Sequence, residues 1–84
     1  MVVDSELDLH AHTIDEALPR LNDYLYHAFM SGMSTVRINH GKGTGTLRLA
    51  VRRELKNHTL VRSFRHGDRW EGGEGVTIVE LSEH

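Results

Sequence analysis

Asp8-Leu9-His10 sets a carboxylate and an imidazole two positions apart. In an extended strand two such residues share a face, with Cβ atoms ~7 Å apart at a rise of ~3.3 Å per residue. A carboxylate so placed can hydrogen-bond the imidazole, orient the ring and raise its basicity. That suits general acid–base catalysis near neutral pH. Two unrelated surface side chains on a half-exposed strand have the same spacing, and by spacing alone they are the commoner source of it.

A second constellation is His40-Gly41-Lys42-Gly43-Thr44-Gly45-Thr46. Glycines let backbone amides approach an anion, and a helix N-terminus beyond them favours negative charge. Lys42 adds a point charge and His40 a titratable donor. The segment is neither a Walker A loop nor a G-x-G-x-x-G turn, since the required glycines and lysine are not at those spacings. An ordinary tight turn would use the same residues. His10-Ala11-His12 forms an H-x-H pair like that of metal-dependent amidohydrolases, but that fold needs a barrel of ~250 residues. Among seven histidines, a chance metal contact is the simpler reading. The single tryptophan, Trp70, sits beside Arg69 in a glycine-rich loop. It either stacks on a base or, more commonly for a lone loop tryptophan, folds back over the core.

The charge is uneven. The net formal charge is −2. Residues 1–35 carry Arg20 against six acids, and the last fourteen carry four acids and no Lys or Arg. Between them lie Arg37, Lys42, Arg48, Arg52, Arg53, Lys56, Arg62, Arg65 and Arg69, opposed by Glu54 and Asp68. A basic middle between acidic ends reads as a phosphate-facing footprint or as a solvated, ion-paired surface. The absence of cysteine removes disulfides, thiolate zinc sites and thiol nucleophiles. No apolar run approaches the ~20 residues that span a bilayer, and no basic-then-apolar signal segment opens the chain. A cytoplasmic location is expected.

The elements that would carry these residues follow from periodicity. Glu6 to His10 alternates as a strand, with Leu7 and Leu9 inward and Asp8 and His10 outward. Thr13-Ile14-Asp15-Glu16 has the form of a capping box. Ala17, Leu18, Leu21, Leu25, Ala28 and Phe29 then recur at helical spacing up to Gly32. Pro19 predicts a local irregularity without breaking the helix in two. Ser34–Asn39 is a second strand, and Thr46 is expected to cap a second helix ending near Asn57-His58. Leu60–His66 and Val76–Leu81 are further strands, joined by a loop over Gly67–Gly75. The fold class is α/β (α+β): a two-layer sandwich in the order β-α-β-α-β-β, with a four-stranded mixed sheet and two helices on one face. Residues 1–5 are read as a short N-terminal extension, 6–81 as the domain and 82–84 as a C-terminal tail. The near absence of an N-terminal tail suggests a domain taken from a longer chain, with a free-standing small protein as the alternative.

Three motifs in order, Leu7-Asp8-Leu9-His10, His40-Gly41-Lys42-Gly43-Thr44-Gly45 and Gly72-Gly73-Glu74-Gly75-Val76-Thr77-Ile78-Val79-Glu80-Leu81, resemble the Smr (small MutS-related) domain. The resemblance runs from about Glu6 to Leu81. It is nearest to the variant that ends the second bacterial MutS paralogue, which has an ATPase region upstream. It implies a fold like the C-terminal domain of translation initiation factor three. It also implies nicking endonuclease activity on DNA, RNA or both. Some members suppress recombination and others cleave messenger RNA on collided ribosomes. The family's D-x-H motif maps to Asp8 and His10, and its H-G-x-G motif to His40, Gly41 and Gly43. Ala11 departs from the glycine common after D-x-H, and Asn39 from a common apolar residue. Many members of the MutS-paralogue branch carry arginine where His10 stands.

Taken together, these readings give a phosphodiester endonuclease. Asp8 orients or assists His10 as general acid or base. His40 is a second proton-transfer group or a phosphate donor. Lys42 and the amides of Gly41, Gly43 and Gly45 hold the scissile phosphate, and Arg37, Arg48, Arg52 and Arg69 extend the nucleic-acid contact. No acidic cluster suggests a two-metal site, so metal-independent chemistry is expected. RNA is then the easier substrate, because its own 2′-hydroxyl can attack. No cofactor is expected in this domain, and ATP only in an upstream one. The expected partners are DNA, RNA or both, with the ribosome as a further candidate and no membrane, and oligomerisation is expected through upstream domains rather than this one. The rival reading is a non-catalytic module that tethers the ATPase to nucleic acid or ribosomes.

Overall fold

A computed structural model describes residues 3–83. Met1, Val2 and His84, at the outer ends of the expected extension and tail, lie outside the described residues. The elements are β1 (Glu6–Asp8), α1 (Ile14–Met30), β2 (Thr35–Asn39), α2 (Thr46–Lys56), β3 (Val61–His66) and β4 (Val76–Leu81), with two single 3-10 turns at Arg69–Glu71 and Gly73–Gly75.

Helix α1 starts where its caps dictate. The Thr13 hydroxyl accepts the Glu16 amide at 3.3 Å, and the Glu16 carboxylate accepts the Thr13 amide at 2.9 Å. Ala17, Leu21, Leu25 and Ala28 then form a fully buried stripe. Pro19 lies inside the helix on its exposed side, and the helix continues across it. Its missing N–H leaves the Asp15 carbonyl without a helical donor, which solvent can supply on that side.

The sheet order is β1-β2-β4-β3. β1 and β2 are parallel, and β4 lies antiparallel to both β2 and β3. The two helical crossovers therefore step the same way across the sheet and put α1 and α2 on one face. Leu9, Val36, Ile38, Val79 and Leu81 from the sheet side meet the α1 stripe and Val51 and Leu55 of α2. Asn22 of α1 donates to Glu54 of α2 at 2.8 Å and ties the helices together. Among the described residues, no helix is long and apolar enough to cross a membrane.

The opposite face carries the row Glu6, Arg37, Ile78 and Arg65, one residue per strand. The Arg37 guanidinium lies 3.1 Å from Glu6. Arg65 makes two hydrogen bonds, of 2.8 and 3.1 Å, to the Glu71 carboxylate from the loop beyond β3. These pairs and the Glu71 turn leave Ile78 buried between them. Long polar side chains thus close the helix-free face without a third layer.

Candidate nucleic-acid cleft

Strands β1, β2 and β3 point the same way, so their C-terminal ends and the start of β4 share one edge of the sheet. Both helix N-termini lie at that edge too. An open cleft of about 280 Å³ lies there, lined by His10, His12, Thr13 and Ile14 on one side and by residues 40–48 on the other.

On the first side, β1 stops at Asp8, two residues earlier than the alternation predicts. The Asp8 carboxylate turns the chain back by accepting the His10 amide at 3.1 Å, and the His12 amide bonds the Leu9 carbonyl at 3.0 Å. His10 therefore stands on a turn above the strand. Its Nδ1 lies 2.5 Å from the same Asp8 oxygen. A carboxylate only accepts, so Nδ1 carries the proton and Nε2 is left for a partner outside the chain. The bond to His10 holds the Asp8 carboxyl below its ordinary range. His12 also lines the cleft, and its Nδ1 is buried without a hydrogen-bond partner among the described residues. The sequence places His12 only in a discounted H-x-H pair. Its spacing of one residue from the start of α1 is the signal that puts it at this edge.

On the second side, Gly41 adopts φ +76, and a Cβ there would stand 3.1 Å from the His10 Cβ. Glycine lets the two motifs meet. The Gly41 amide is directed inward, to the Gly75 carbonyl at 3.0 Å and the Asn39 side chain at 3.1 Å. It holds the loop to the start of β4 and is not turned toward an anion. Gly45, at φ +87, is the N-cap of α2, in the place expected for Thr46. Thr46 is the first helical residue. Gly45 has no side chain to cap α2, and the Thr46 amide donates to the Thr44 hydroxyl at 3.4 Å, so the helix start, with its dipole, stands at the cleft beside Lys42 and Arg48. The Arg48 guanidinium folds back over Gly45.

His40 differs in kind from His10. It is 3% exposed, with Nε2 at 2.8 Å from the Thr77 hydroxyl and Nδ1 at 3.0 Å from the Gly41 carbonyl. The carbonyl fixes the proton on Nδ1, so Nε2 accepts from Thr77. Burial is the main cause that pushes the His40 pKa down from its ordinary value. Neither ring nitrogen is open to a substrate.

The expected phosphate contacts divide by place. Gly41, Lys42, Gly43, Gly45 and Arg48 line the cleft. Arg52, one turn further along α2, reaches His66 at 3.2 Å. Arg37 lies on the helix-free face beside Glu6, and Arg69 on the loop beyond β3. Among the described residues, no group of three or more His, Asp or Glu side chains is placed to hold a metal ion.

Residues 7–82 match the Smr domain family. The chain belongs to the Smr family. It is 50% identical over 80 residues to Endonuclease MutS2 of Pelotomaculum thermopropionicum, covering 95% of this chain and 10% of that protein. Against Endonuclease MutS2 of Geobacillus kaustophilus it is 53% identical over 79 residues, covering 94% and 10%. This Smr chain thus spans about one tenth of the length of these relatives. Its fold is similar to the crystal structure of the Smr domain of Thermus thermophilus MutS2, with TM-score 0.90, 45% identity, and 92% and 96% of the two chains covered. It is also similar to YdaL, a stand-alone small MutS-related protein of Escherichia coli, with TM-score 0.89, 25% identity, and 94% and 65% covered. The arrangement of two helices on one face of a four-stranded mixed sheet is that of these Smr structures.

Proposed function

We propose that this Smr domain is a phosphodiester endonuclease that nicks DNA, RNA or both. The observation that carries the reading is the Asp8–His10 pair. An imidazole is held by a carboxylate at 2.5 Å, with its second nitrogen unbonded among the described residues, on the rim of a cleft that ends at a helix N-terminus whose cap, Gly45, has no side chain. His10 takes or gives a proton at the scissile phosphate. Asp8 fixes the tautomer and stabilises the imidazolium that forms. Lys42, Arg48 and the first-turn amides of α2 hold the phosphate and the charge that develops on it. His40 is assigned to positioning: with Thr77 and Gly75 it holds the Gly41 turn against His10. Arg52 and Arg69 would lengthen the contact along the strand. The chemistry is metal-independent and needs no cofactor in this domain.

In a longer protein like the MutS2 relatives, the domain would act on DNA in recombination control or on RNA during ribosome rescue, in the cytoplasm. An ATPase region upstream would bind ATP and carry oligomerisation. The test is a time course of the purified chain on end-labelled single- and double-stranded DNA and RNA, with and without EDTA. Cutting of at least one substrate that survives EDTA is the expected result. Binding without cutting would establish the tether instead.

A further inference from the structure

We propose that Trp70 is a stacking platform for an unpaired nucleobase, so that this domain engages single-stranded or locally opened nucleic acid; the proposal rests on the nucleic-acid reading above. Trp70 is 82% exposed, the most exposed of the large hydrophobic residues among those described. It is not on a loose tip. Its 3-10 turn is closed by a capping box between Asp68 and Glu71, and Glu71 is gripped through both carboxylate oxygens by Arg65 of β3. The Gly73 amide returns to the Asp68 carbonyl at 2.9 Å. A rigid aromatic presented to solvent loses little conformational freedom on binding.

Its place and surroundings select the occupant. The turn follows β3, at the sheet edge that holds the cleft. Neighbouring strands lie ~4.8 Å apart, so the end of β3 stands ~10 Å from the end of β2, where the glycine loop begins. Lys42, Arg48, Arg52 and Arg69 lie along that edge, and none of them forms an ion pair among the described residues. An exposed aromatic ring next to Arg69, at the same end of the sheet as Lys42, Arg48 and Arg52, fits a polyanion with exposed ring faces. A paired duplex hides those faces.

The test uses the fact that Trp70 is the only tryptophan. A short single-stranded oligonucleotide, DNA or RNA, is titrated into the chain while its fluorescence is followed, and affinity is measured in parallel by anisotropy of a labelled strand. Quenching is expected on binding. Trp70→Ala should weaken single-strand binding about five- to 150-fold, as loss of one stacked base does. It should change blunt-duplex binding less than twofold. Trp70→Phe should recover most of the loss and Trp70→Leu little of it, which separates a ring face from general apolar contact. Unquenched fluorescence with unchanged affinity in Trp70→Ala would overturn the proposal. So would an equal loss on duplex, or a response to anionic vesicles and not to oligonucleotide. Quenching and binding of a strand that is never cut would uphold the platform and defeat the nuclease reading, so the two fail separately.

Discussion

Two histidines of one cleft have opposite surroundings, and their expected behaviour follows from that. His10 is exposed, with one nitrogen on a carboxylate and the other unbonded among the described residues. Asp8→Asn keeps the shape of the pair but loses the charge that supports a protonated ring. It should slow cleavage about 10²–10⁴-fold, the usual worth of a general acid–base group, with binding nearly unchanged. If the two act as one unit, Asp8→Asn with His10→Ala should be little worse than the poorer single variant. Rates that multiply in the double variant would show two independent roles. His40 instead has a pKa lowered chiefly by burial. As pH falls below about 6.5, the unfolded chain takes up this proton before the folded one. The stability His40 contributes is therefore complete above that pH and is lost as pH drops through the lower folded value. Denaturant midpoints at pH 7.5 and 5.5 should fall further apart in the wild type than in His40→Gln. Equal falls would remove His40 from that linkage.

The helix N-termini differ in the same way. Helix α1 is closed by Thr13 and Glu16, whereas α2 begins on Gly45 with no side-chain cap. Thr13→Ala should destabilise the domain by ~0.5–2 kcal/mol in chemical denaturation, and a change near zero would mean the capping box contributes nothing. Helix α1 and β4 were legible in the sequence because strong local signals, a capping box and a β-branched run, agree with the tertiary packing. The start of α2 was not, since Thr46 and Gly45 are both acceptable caps and tertiary placement decides between them. The first strand was read too long because alternation continues through His10, while a side-chain hydrogen bond from Asp8 ends the extended backbone. The burial of His40 was legible and passed over: it lies two residues beyond Ile38, on the face that Val36 and Ile38 bury. The exposure of Trp70 was not legible, because whether a loop folds inward depends on Arg65 and Glu71, which meet only in the folded chain.

Across the whole molecule, the basic middle of the sequence separates into two populations. Arg37, Arg62 and Arg65 are paired with Glu6, with Glu80 and Glu83, and with Glu71. Lys42 and Arg48, at the cleft, form no ion pair among the described residues. Counting charges along the chain therefore overstates the phosphates that can be neutralised. Each contact should add roughly −0.9 to the log–log salt slope on duplex DNA, or about −0.7 on single strands. Lys42→Ala should make the slope shallower by about one such step and weaken all sequences alike, because lysine meets phosphate as a point charge. A slope near zero in the wild type would point to a protein partner. Cutting of a phosphodiester at this edge of the sheet runs through His10. Its most direct test is the single-turnover cleavage rate of purified His10→Ala beside wild type, on a substrate that both bind. The rate should fall about 10²–10⁴-fold with affinity retained; equal rates in the two proteins would take His10 out of the chemistry.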